Sequence, residues 1–114
     1  MSLFDKDLAL QQAGGNSDLA RDLFQMLIKD LPASIETAFE AHAKNDKEAF
    51  WNAVHKIHGG TAYCGVPDLR QACKALEDEI KTAYPGDNID TALTKLKEQV
   101  TLLLNDPDKF IALL

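Results

Sequence analysis

Four stretches of this chain repeat apolar side chains at the spacing of an α-helix, and turns rich in polar residues, glycine or proline separate them. The stretches cover residues 17–43, 47–64, 67–83 and 89–104. No segment shows the alternating pattern of a half-buried strand. Helices joined by connections this short pack as antiparallel neighbours. The sequence therefore predicts an all-α fold, an antiparallel up-down four-helix bundle, in a single domain over residues 1–114.

Local signals mark the ends of these helices. Asn16 or Ser17 is placed to cap the first long helix, Asp46 to cap the second, and Pro67 to open the third. A short helix over residues 4–12 precedes them, ends at a glycine pair and is expected to cap one end of the bundle. Pro32 lies inside the first long pattern, so we expect one bent helix or two abutting helices there. The apolar tail over residues 109–114 is expected to pack back as a helical turn.

The charge balance restricts the class of partner. Acidic residues outnumber basic ones by 18 to 12, which gives a net charge of −6 at pH 7. Nucleic acids and anionic membranes are bound by clustered lysine and arginine, so this balance argues against both and suits a protein partner. No run is long enough to span a membrane and no signal peptide is visible, so we expect a cytoplasmic location. Cys64 and Cys73 fit core thiols in a reduced setting, and a disulfide between them stays open.

The second long helix places two histidines before a glycine pair: His55, His58, Gly59 and Gly60. A glycine inside a helix costs about 1 kcal/mol relative to alanine, so two in succession need a reason. At about 100° per residue, His55 falls opposite the apolar stripe, Gly59 leaves space beside it, and Gly60 faces inward. The stripe comprises Ala49, Phe50, Ala53, Val54, Ile57, Gly60 and Cys64. We expect His55 to be an exposed, nucleophilic imidazole, with an ordinary surface histidine as the alternative.

The sequence HKIHGGTA at residues 55–62, followed by Gly65, resembles the signature of histidine-containing phosphotransfer (HPt) domains. The flanks agree with this pattern before the first long helix at residues 13–16, within it at Leu31 and Pro32, and after the site at residues 69–77. The form of the motif, with YCGVP at residues 63–67, is most similar to the C-terminal HPt domains of BarA/GacS-type hybrid sensor kinases.

This resemblance implies a four-helix bundle without catalytic activity of its own, in which His55 accepts a phosphoryl group on an imidazole nitrogen. The donor would be the aspartate of a receiver domain, and a second receiver aspartate would take the group in a multistep phosphorelay. The receiver domains would hold the Mg²⁺, so we expect no cofactor on this chain. The kinase and receiver domains of a longer parent chain are further candidate partners. Nothing in the sequence resembles an ATP-binding fold.

One position departs from the family pattern. Most members have lysine three residues after the acceptor, where this chain has His58. We hypothesise that His58 hydrogen-bonds the phosphoryl oxygens and gains a proton when that dianion arrives. Glu77 falls where the family often places a polar side chain that leans toward the site, and an acid there is expected to orient an imidazole. The acidic run over residues 77–79 is otherwise interpreted as a solvated face.

Side chains around the acceptor are candidates for docking a receiver domain: Trp51, Asn52, Lys56, Gly59, Ala62 and Arg70. Trp51 either covers the bundle or anchors a partner, as tryptophan often does at interfaces. Lys56 and Arg70 either steer an acidic receiver surface toward the site or are ordinary surface charges.

Two other functions stay open at this stage. The first is a helical interaction module that is not phosphorylated, although family members of that kind typically lack the acceptor histidine. The second is metal binding by His55 and His58, but bundle sites normally recruit carboxylates through Glu-x-x-His, which the sequence lacks. The third histidine, His42, lies near the end of the preceding helix. We therefore expect no metal site, and no nucleophilic role for the buried Cys64.

Overall fold

The computed structural model describes residues 2–114, and every regular element in that range is helical. Six α-helices follow one another along the chain: α1 (Lys6–Gln12), α2 (Ser17–Ala43), α3 (Lys47–Gly60), α4 (Pro67–Ala83), α5 (Asp87–Asn105) and α6 (Pro107–Ile111). A 3-10 turn over Thr61–Tyr63 follows α3 directly. The predicted all-α class is confirmed. Met1, which the predicted domain includes, lies outside the described residues.

The four long helices form the bundle. Helix α2 packs against α3, α3 against α4 and α4 against α5, and α5 returns to contact α2. The loops between them are only a few residues long, so consecutive helices run antiparallel. Helix α1 packs on α2 and on the 3-10 turn, and α6 packs on α2. The molecule is elongated, with extents of 41 × 21 × 19 Å.

The helix starts follow the capping signals in the sequence. The Asn16 side chain accepts a hydrogen bond from the Leu19 N–H at the start of α2. Asp46 does the same for the Ala49 N–H at the start of α3. Pro67 is the first residue of α4, where its missing N–H costs no helical hydrogen bond. These local signals explain why the predicted and observed starts of the long helices agree closely.

Helix α2 is a single continuous helix of 27 residues, with Pro32 in its interior. Of the two arrangements that the sequence allowed, one long helix is therefore correct. Pro32 itself is exposed, and the backbone carbonyl of Ile28, four residues earlier, has no proline N–H to accept from. Leu31 and Ala38, on either side of the proline, are both buried and hold the two halves against the same core.

One hydrophobic core runs through the bundle and draws on all four long helices and on α6. Among its fully buried large side chains are Phe24, Phe50, Leu69, Leu76 and Leu96. Because these side chains come from helices α2 to α5, the core fixes how α3 and α4 face each other. Leu19, which the apolar pattern placed on the buried side of α2, is exposed instead because it lies in the first turn.

Gly65 fastens the chain between α3 and α4 to the N-terminal segment. Its backbone N–H donates to the Gln12 side chain at 3.0 Å, and its carbonyl accepts from the Asp5 N–H at 2.8 Å. Its φ of +63° is a left-handed conformation, and a Cβ there would lie 2.6 Å from the Ala9 Cβ. Only glycine fits this position without rearrangement. Helix α3 itself ends at Gly60 and is followed by the 3-10 turn, so the α-helix is shorter than the predicted stretch to residue 64.

Candidate functional site

His55 lies in the middle of α3 and points away from the core. Its side chain is 58% exposed, whereas Val54 before it and Ile57 after it are buried. The prediction of an exposed imidazole from the helical wheel is therefore confirmed. Exposure alone is common for histidine, so the neighbours of the ring decide what it can do.

Glu77 on α4 contacts both histidines of α3. Its Oε1 atom lies 3.2 Å from the Nδ1 of His55 and 3.0 Å from the Nδ1 of His58. The Glu77 side chain is only 12% exposed, although Asp78 beside it is exposed. The interpretation of residues 77–79 as one solvated face is therefore wrong for Glu77, because the rotation of α4 turns this residue toward α3.

These contacts assign the proton positions on both rings. A carboxylate oxygen can only accept hydrogen bonds, so the Nδ1 of His55 and of His58 each carry the proton. In a neutral imidazole the other nitrogen then carries the lone pair. The Nε2 of His55 is consequently the free, nucleophilic nitrogen. Glu77 and His55 thus have the arrangement of a carboxylate that orients a catalytic histidine.

Trp51 covers one side of the His55 ring. The two rings are stacked, with centroids 4.5 Å apart and planes 12° from parallel. Trp51 lies one helical turn before His55 and packs against the core, so it is half-buried rather than free on the surface. Of its two predicted roles, partial covering of the bundle is what the structure describes. Its role in docking stays a prediction.

His58 is less accessible than His55, with a side chain that is 20% exposed. Its ring stands nearly perpendicular to that of His55, with centroids 6.4 Å apart. Because Glu77 occupies the Nδ1 of His58, only its Nε2 is free to meet a phosphoryl oxygen. The predicted contact between His58 and a phosphoryl group is therefore restricted to that nitrogen, and it stays a prediction.

The two glycines after His58 differ in their surroundings. A Cβ on Gly59 would meet nothing within 4 Å, so this position leaves open space beside the site. A Cβ on Gly60 would touch the Leu27 Cδ1 at 3.4 Å, an ordinary contact with α2. Gly60 faces α2 as predicted, but it is exposed and does not belong to the buried stripe. Close helix packing therefore does not explain Gly59.

The other predicted docking residues lie on the surface around the site. Asn52 and Lys56 on α3 and Arg70 on α4 are exposed, and Ala62 in the 3-10 turn is half-buried. Arg70 precedes Glu77 by two helical turns, which places it about 10 Å from Glu77 along α4. These positions are compatible with one docking face, and their role in docking is untested.

The sequence analysis missed an apolar groove that borders this face. The groove lies between α2 and α3, has a volume of about 180 Å³, and reaches Lys56, Gly59 and Gly60. Met26 of α2 and Tyr63 of the 3-10 turn line it with large exposed side chains. Met26 is not among the apolar positions that predict the buried face of α2. Only the packing of α2 on α3 shows that it lies beside Tyr63 at this groove.

The sequence analysis also missed a group of possible metal ligands. One ligand atom from each of His55, His58 and Glu77 lies within 4.8 Å of the other two. Within residues 2–114, no second group of three such ligands lies as close together. The expectation of no metal site rested on the absence of a carboxylate at Glu-x-x-His spacing. Here the carboxylate comes from a different helix, 19 residues after His58.

Both cysteines are buried, free thiols. Burial raises the pKa of Cys64 to about 11 and that of Cys73 to about 12. Cys64 also donates to the backbone carbonyls of Leu23 and Gly60, at 3.4 and 3.3 Å. A thiol with so high a pKa holds almost no thiolate at neutral pH. The prediction that Cys64 is not a nucleophile agrees with this environment.

None of the helices over residues 2–114 combines the length and the apolar character that a membrane crossing requires.

Comparison with known proteins relates the chain to sensor kinases. It is 39% identical over 101 residues to sensor histidine kinase GacS of Pseudomonas protegens. The aligned region covers 84% of this chain and 11% of GacS. It is 30% identical over 107 residues to signal transduction histidine-protein kinase BarA of Escherichia coli K12. This aligned region covers 94% of this chain and 12% of BarA. The chain thus spans about a tenth of the length of these relatives.

A solved structure and a family match agree with these relatives. The HPT domain of a hybrid histidine kinase from Shewanella superimposes with a TM-score of 0.87 at 28% identity, over 98% of this chain and 96% of that domain. The sequence matches the Hpt domain family over residues 22–106, which include every residue of the site. Hpt domains are phosphocarrier modules rather than kinases. This chain belongs to the Hpt domain family.

Proposed function

We propose that this chain carries a phosphoryl group on the Nε2 of His55 in a multistep phosphorelay. The group comes from the aspartyl phosphate of one receiver domain and passes to the aspartate of a second. The observation that carries this proposal is the exposed His55 ring whose Nδ1 proton is held by the largely buried Glu77. An exposed imidazole with a fixed tautomer is prepared to attack phosphorus and accessible to a protein donor.

The transfer needs little from this chain besides position. The Nε2 lone pair of His55 attacks the phosphorus, a nitrogen–phosphorus bond forms, and the bond to the aspartate oxygen breaks. The electron pair of that bond stays on the aspartate, which regains its carboxylate. The imidazole becomes more positive during the attack, and the Glu77 carboxylate on its Nδ1–H stabilises that charge. Transfer to the second receiver reverses these steps.

Two neighbours restrict the motion of the acceptor ring. Trp51 stacks on one face of His55 and limits rotation of its ring. His58 shares the same carboxylate oxygen of Glu77, which keeps that carboxylate between the two rings. The Nε2 of His58 would donate a hydrogen bond to a phosphoryl oxygen once His58 gains a proton there on arrival of the phosphoryl dianion. A geometry fixed in advance reduces the entropy that the reaction must lose.

The remaining parts of the reaction belong to the partners. Mg²⁺ bound to each receiver domain would neutralise charge on the transferring phosphoryl group, so the chain itself needs no cofactor. We propose that the chain has no kinase activity of its own and works on the cytoplasmic side of the membrane. The kinase and receiver domains of a longer parent protein, and a separate response regulator, are its proposed partners.

The docking face extends from the acceptor toward the groove between α2 and α3. Gly59 leaves the approach to His55 unobstructed, and Met26 and Tyr63 offer apolar surface beside it. Lys56 and Arg70 would attract the acidic residues that surround the receiver aspartate. Asn52, Ala62 and the exposed edge of Trp51 complete this face. Apolar contacts surrounded by charges are typical of transient protein interfaces.

The proposal is tested by incubating the chain with a receiver domain that carries a labelled aspartyl phosphate and Mg²⁺. We expect label on the wild type that is lost in acid and stable in alkali, as phosphohistidine is. The His55→Gln variant should carry none. Since His55 is exposed, this variant should unfold at the same temperature as the wild type. Label that persists on the folded variant would overturn the assignment of His55.

A further inference from the structure

We propose that His55, His58 and Glu77 form a site for one Zn²⁺ ion, and that Zn²⁺ bound there prevents phosphorylation of His55. The first half of this inference stands on the arrangement of the three side chains alone. The second half rests on the proposed function. The two halves have separate readouts.

The ligand set suits zinc. Two imidazole nitrogens and one carboxylate oxygen are the donors of many zinc sites that keep a fourth position open. The three ligand atoms already lie within 4.8 Å of one another. They come from two packed helices, α3 and α4, so the backbone positions are fixed by the core rather than by a loop. The Glu77 side chain is largely buried and is therefore restricted before any ion binds.

Two of the three ligand separations suit tetrahedral coordination. Zinc–nitrogen and zinc–oxygen bonds of about 2.0–2.2 Å place neighbouring ligands about 3.3 Å apart around a tetrahedral ion. The Glu77 Oε1 lies 3.2 Å from the Nδ1 of His55 and 3.0 Å from the Nδ1 of His58. An ion would therefore replace two hydrogen bonds with three coordinate bonds. The two oxygen–nitrogen separations would change by a few tenths of an ångström, and the two imidazole nitrogens, which lie within 4.8 Å of each other, would have to approach to about 3.3 Å.

Coordination would switch the tautomer of His55. In the metal-free protein the Nδ1 of His55 carries the proton and its Nε2 carries the lone pair. A zinc ion takes the lone pair of Nδ1, so the proton moves to Nε2 and the ring stays neutral. The nitrogen that would attack phosphorus then carries a hydrogen atom and has no lone pair to offer. The position of the His55 proton, on Nδ1 or on Nε2, therefore determines whether the ring can accept a phosphoryl group or bind zinc.

Isothermal titration of the metal-free chain with Zn²⁺ tests the site. We expect one ion per chain, and binding at least about tenfold weaker in Glu77→Gln and His58→Ala, which each lose one of three protein ligands. Asp78→Asn and His42→Ala are matched controls outside the cluster and should bind as the wild type does. The single tryptophan, Trp51, stacks on His55, so its fluorescence should change with the same stoichiometry.

Nitrogen-15 NMR of the histidine side chains tests the tautomer. We expect the His55 proton on Nδ1 without zinc and on Nε2 with one equivalent of Zn²⁺. In the phosphorylation assay, one equivalent of Zn²⁺ with excess Mg²⁺ should stop labelling of the wild type and of Asp78→Asn. A zinc-selective chelator should restore it.

The outcomes separate the two claims. Absence of zinc binding, or binding that Glu77→Gln and His58→Ala leave unchanged, would overturn the zinc site. A His55 proton that stays on Nδ1, or labelling that continues with zinc bound, would overturn the block while the site stands. Failure of the metal-free chain to accept any label would count against the proposed function and not against the zinc site.

Discussion

Among residues 2–114, two carboxylates contact histidines: Glu77 contacts His55 and His58, and Asp90 contacts His42. The pairs His55–Glu77 and His42–Asp90 have reversed exposures. At the candidate site the His55 side chain is 58% exposed and Glu77 is 12% exposed. Near the end of α2, His42 is 23% exposed, while its partner Asp90 on α5 is 83% exposed. The first pair offers the imidazole to solvent, and the second offers the carboxylate. Only the first pair can present a nucleophilic nitrogen to another protein.

The neighbours of each ring strengthen this difference. His42 stacks on Phe50 with centroids 4.8 Å apart and also contacts the ring of Tyr84. Its Nδ1 is buried without a hydrogen-bond partner, and its Nε2 faces Asp90 at 2.7 Å. His55 stacks on Trp51, and its other ring neighbour is the polar imidazole of His58. The comparison teaches that a histidine–carboxylate contact is not a functional signal until the exposed member of the pair is known.

Substitution of the two carboxylates should separate the pairs most clearly. Glu77→Gln keeps an oxygen that can accept the Nδ1 proton of His55 but removes the charge. A charge-assisted hydrogen bond contributes about 1.5–3 kcal/mol against about 1 kcal/mol for a neutral one, so the phosphorylation rate should fall about tenfold. Asp90→Asn, the matched change at the other pair, should leave the rate unchanged. The measurement is the initial rate of labelling from a phosphorylated receiver domain.

Two results of that experiment would contradict the comparison. Equal rates for Glu77→Gln and the wild type would show that the buried carboxylate does not assist His55. A slower rate for Asp90→Asn would show that the two pairs are coupled through the bundle. Thermal unfolding of both variants checks that neither rate reflects loss of the fold.

Substitution of the two glycines after His58 by alanine should have a second, smaller effect on the rate of labelling. Gly59→Ala adds a methyl group in open space, and Gly60→Ala adds one in ordinary contact with Leu27. Each change should stabilise the chain by about 0.5–1 kcal/mol, because alanine favours the helix over glycine. Gly59→Ala should nevertheless slow labelling severalfold, since the methyl group lies where a receiver approaches His55. Gly60→Ala should not.

This pair of variants is measured by urea unfolding and by the same labelling assay. A stabilised Gly59→Ala chain that accepts label at the wild-type rate would exclude Gly59 from the docking face. Equal slowing by both variants would mean that α3 itself must flex during transfer.

The fold was predictable because its signals are local. Asn16, Asp46 and Pro67 mark helix starts with their own side chains or ring, and the packing confirms those starts. The exposure of His55 was predictable for the same reason, since the periodicity of one helix determines it. The end of α3 was less predictable, because the change from an α-helix to a 3-10 turn after Gly60 has no single-residue signal such as a cap or a proline.

The chemistry of the site was less predictable because it joins two helices. The family resemblance singled out Glu77, but the rotation of α4 against α3 decides that this carboxylate, and not Asp78, reaches both histidines. The group of metal ligands and the groove at Met26 and Tyr63 were not predicted for the same reason, since each is formed by residues from different helical elements. The sequence predicts His55 as the nucleophile and Glu77 as an acid that orients an imidazole, and the packing of α4 on α3 shows that Glu77 contacts both histidines.

Removal of the His42 side chain should have the smallest effect on phosphotransfer and a measurable effect on stability. His42→Ala removes a half-buried ring stacked on Phe50, a kind of contact that contributes about 0.5–1.5 kcal/mol beyond the area it buries. It also removes a buried Nδ1 without a partner, which offsets part of the loss. We expect a net loss of about 1 kcal/mol in the free energy of unfolding and an unchanged labelling rate. Labelling of His42→Ala that slowed in proportion to the lost stability would contradict this expectation. His42 and His55 would then belong to one functional unit, and their reversed exposures would not distinguish a reactive pair from a structural pair.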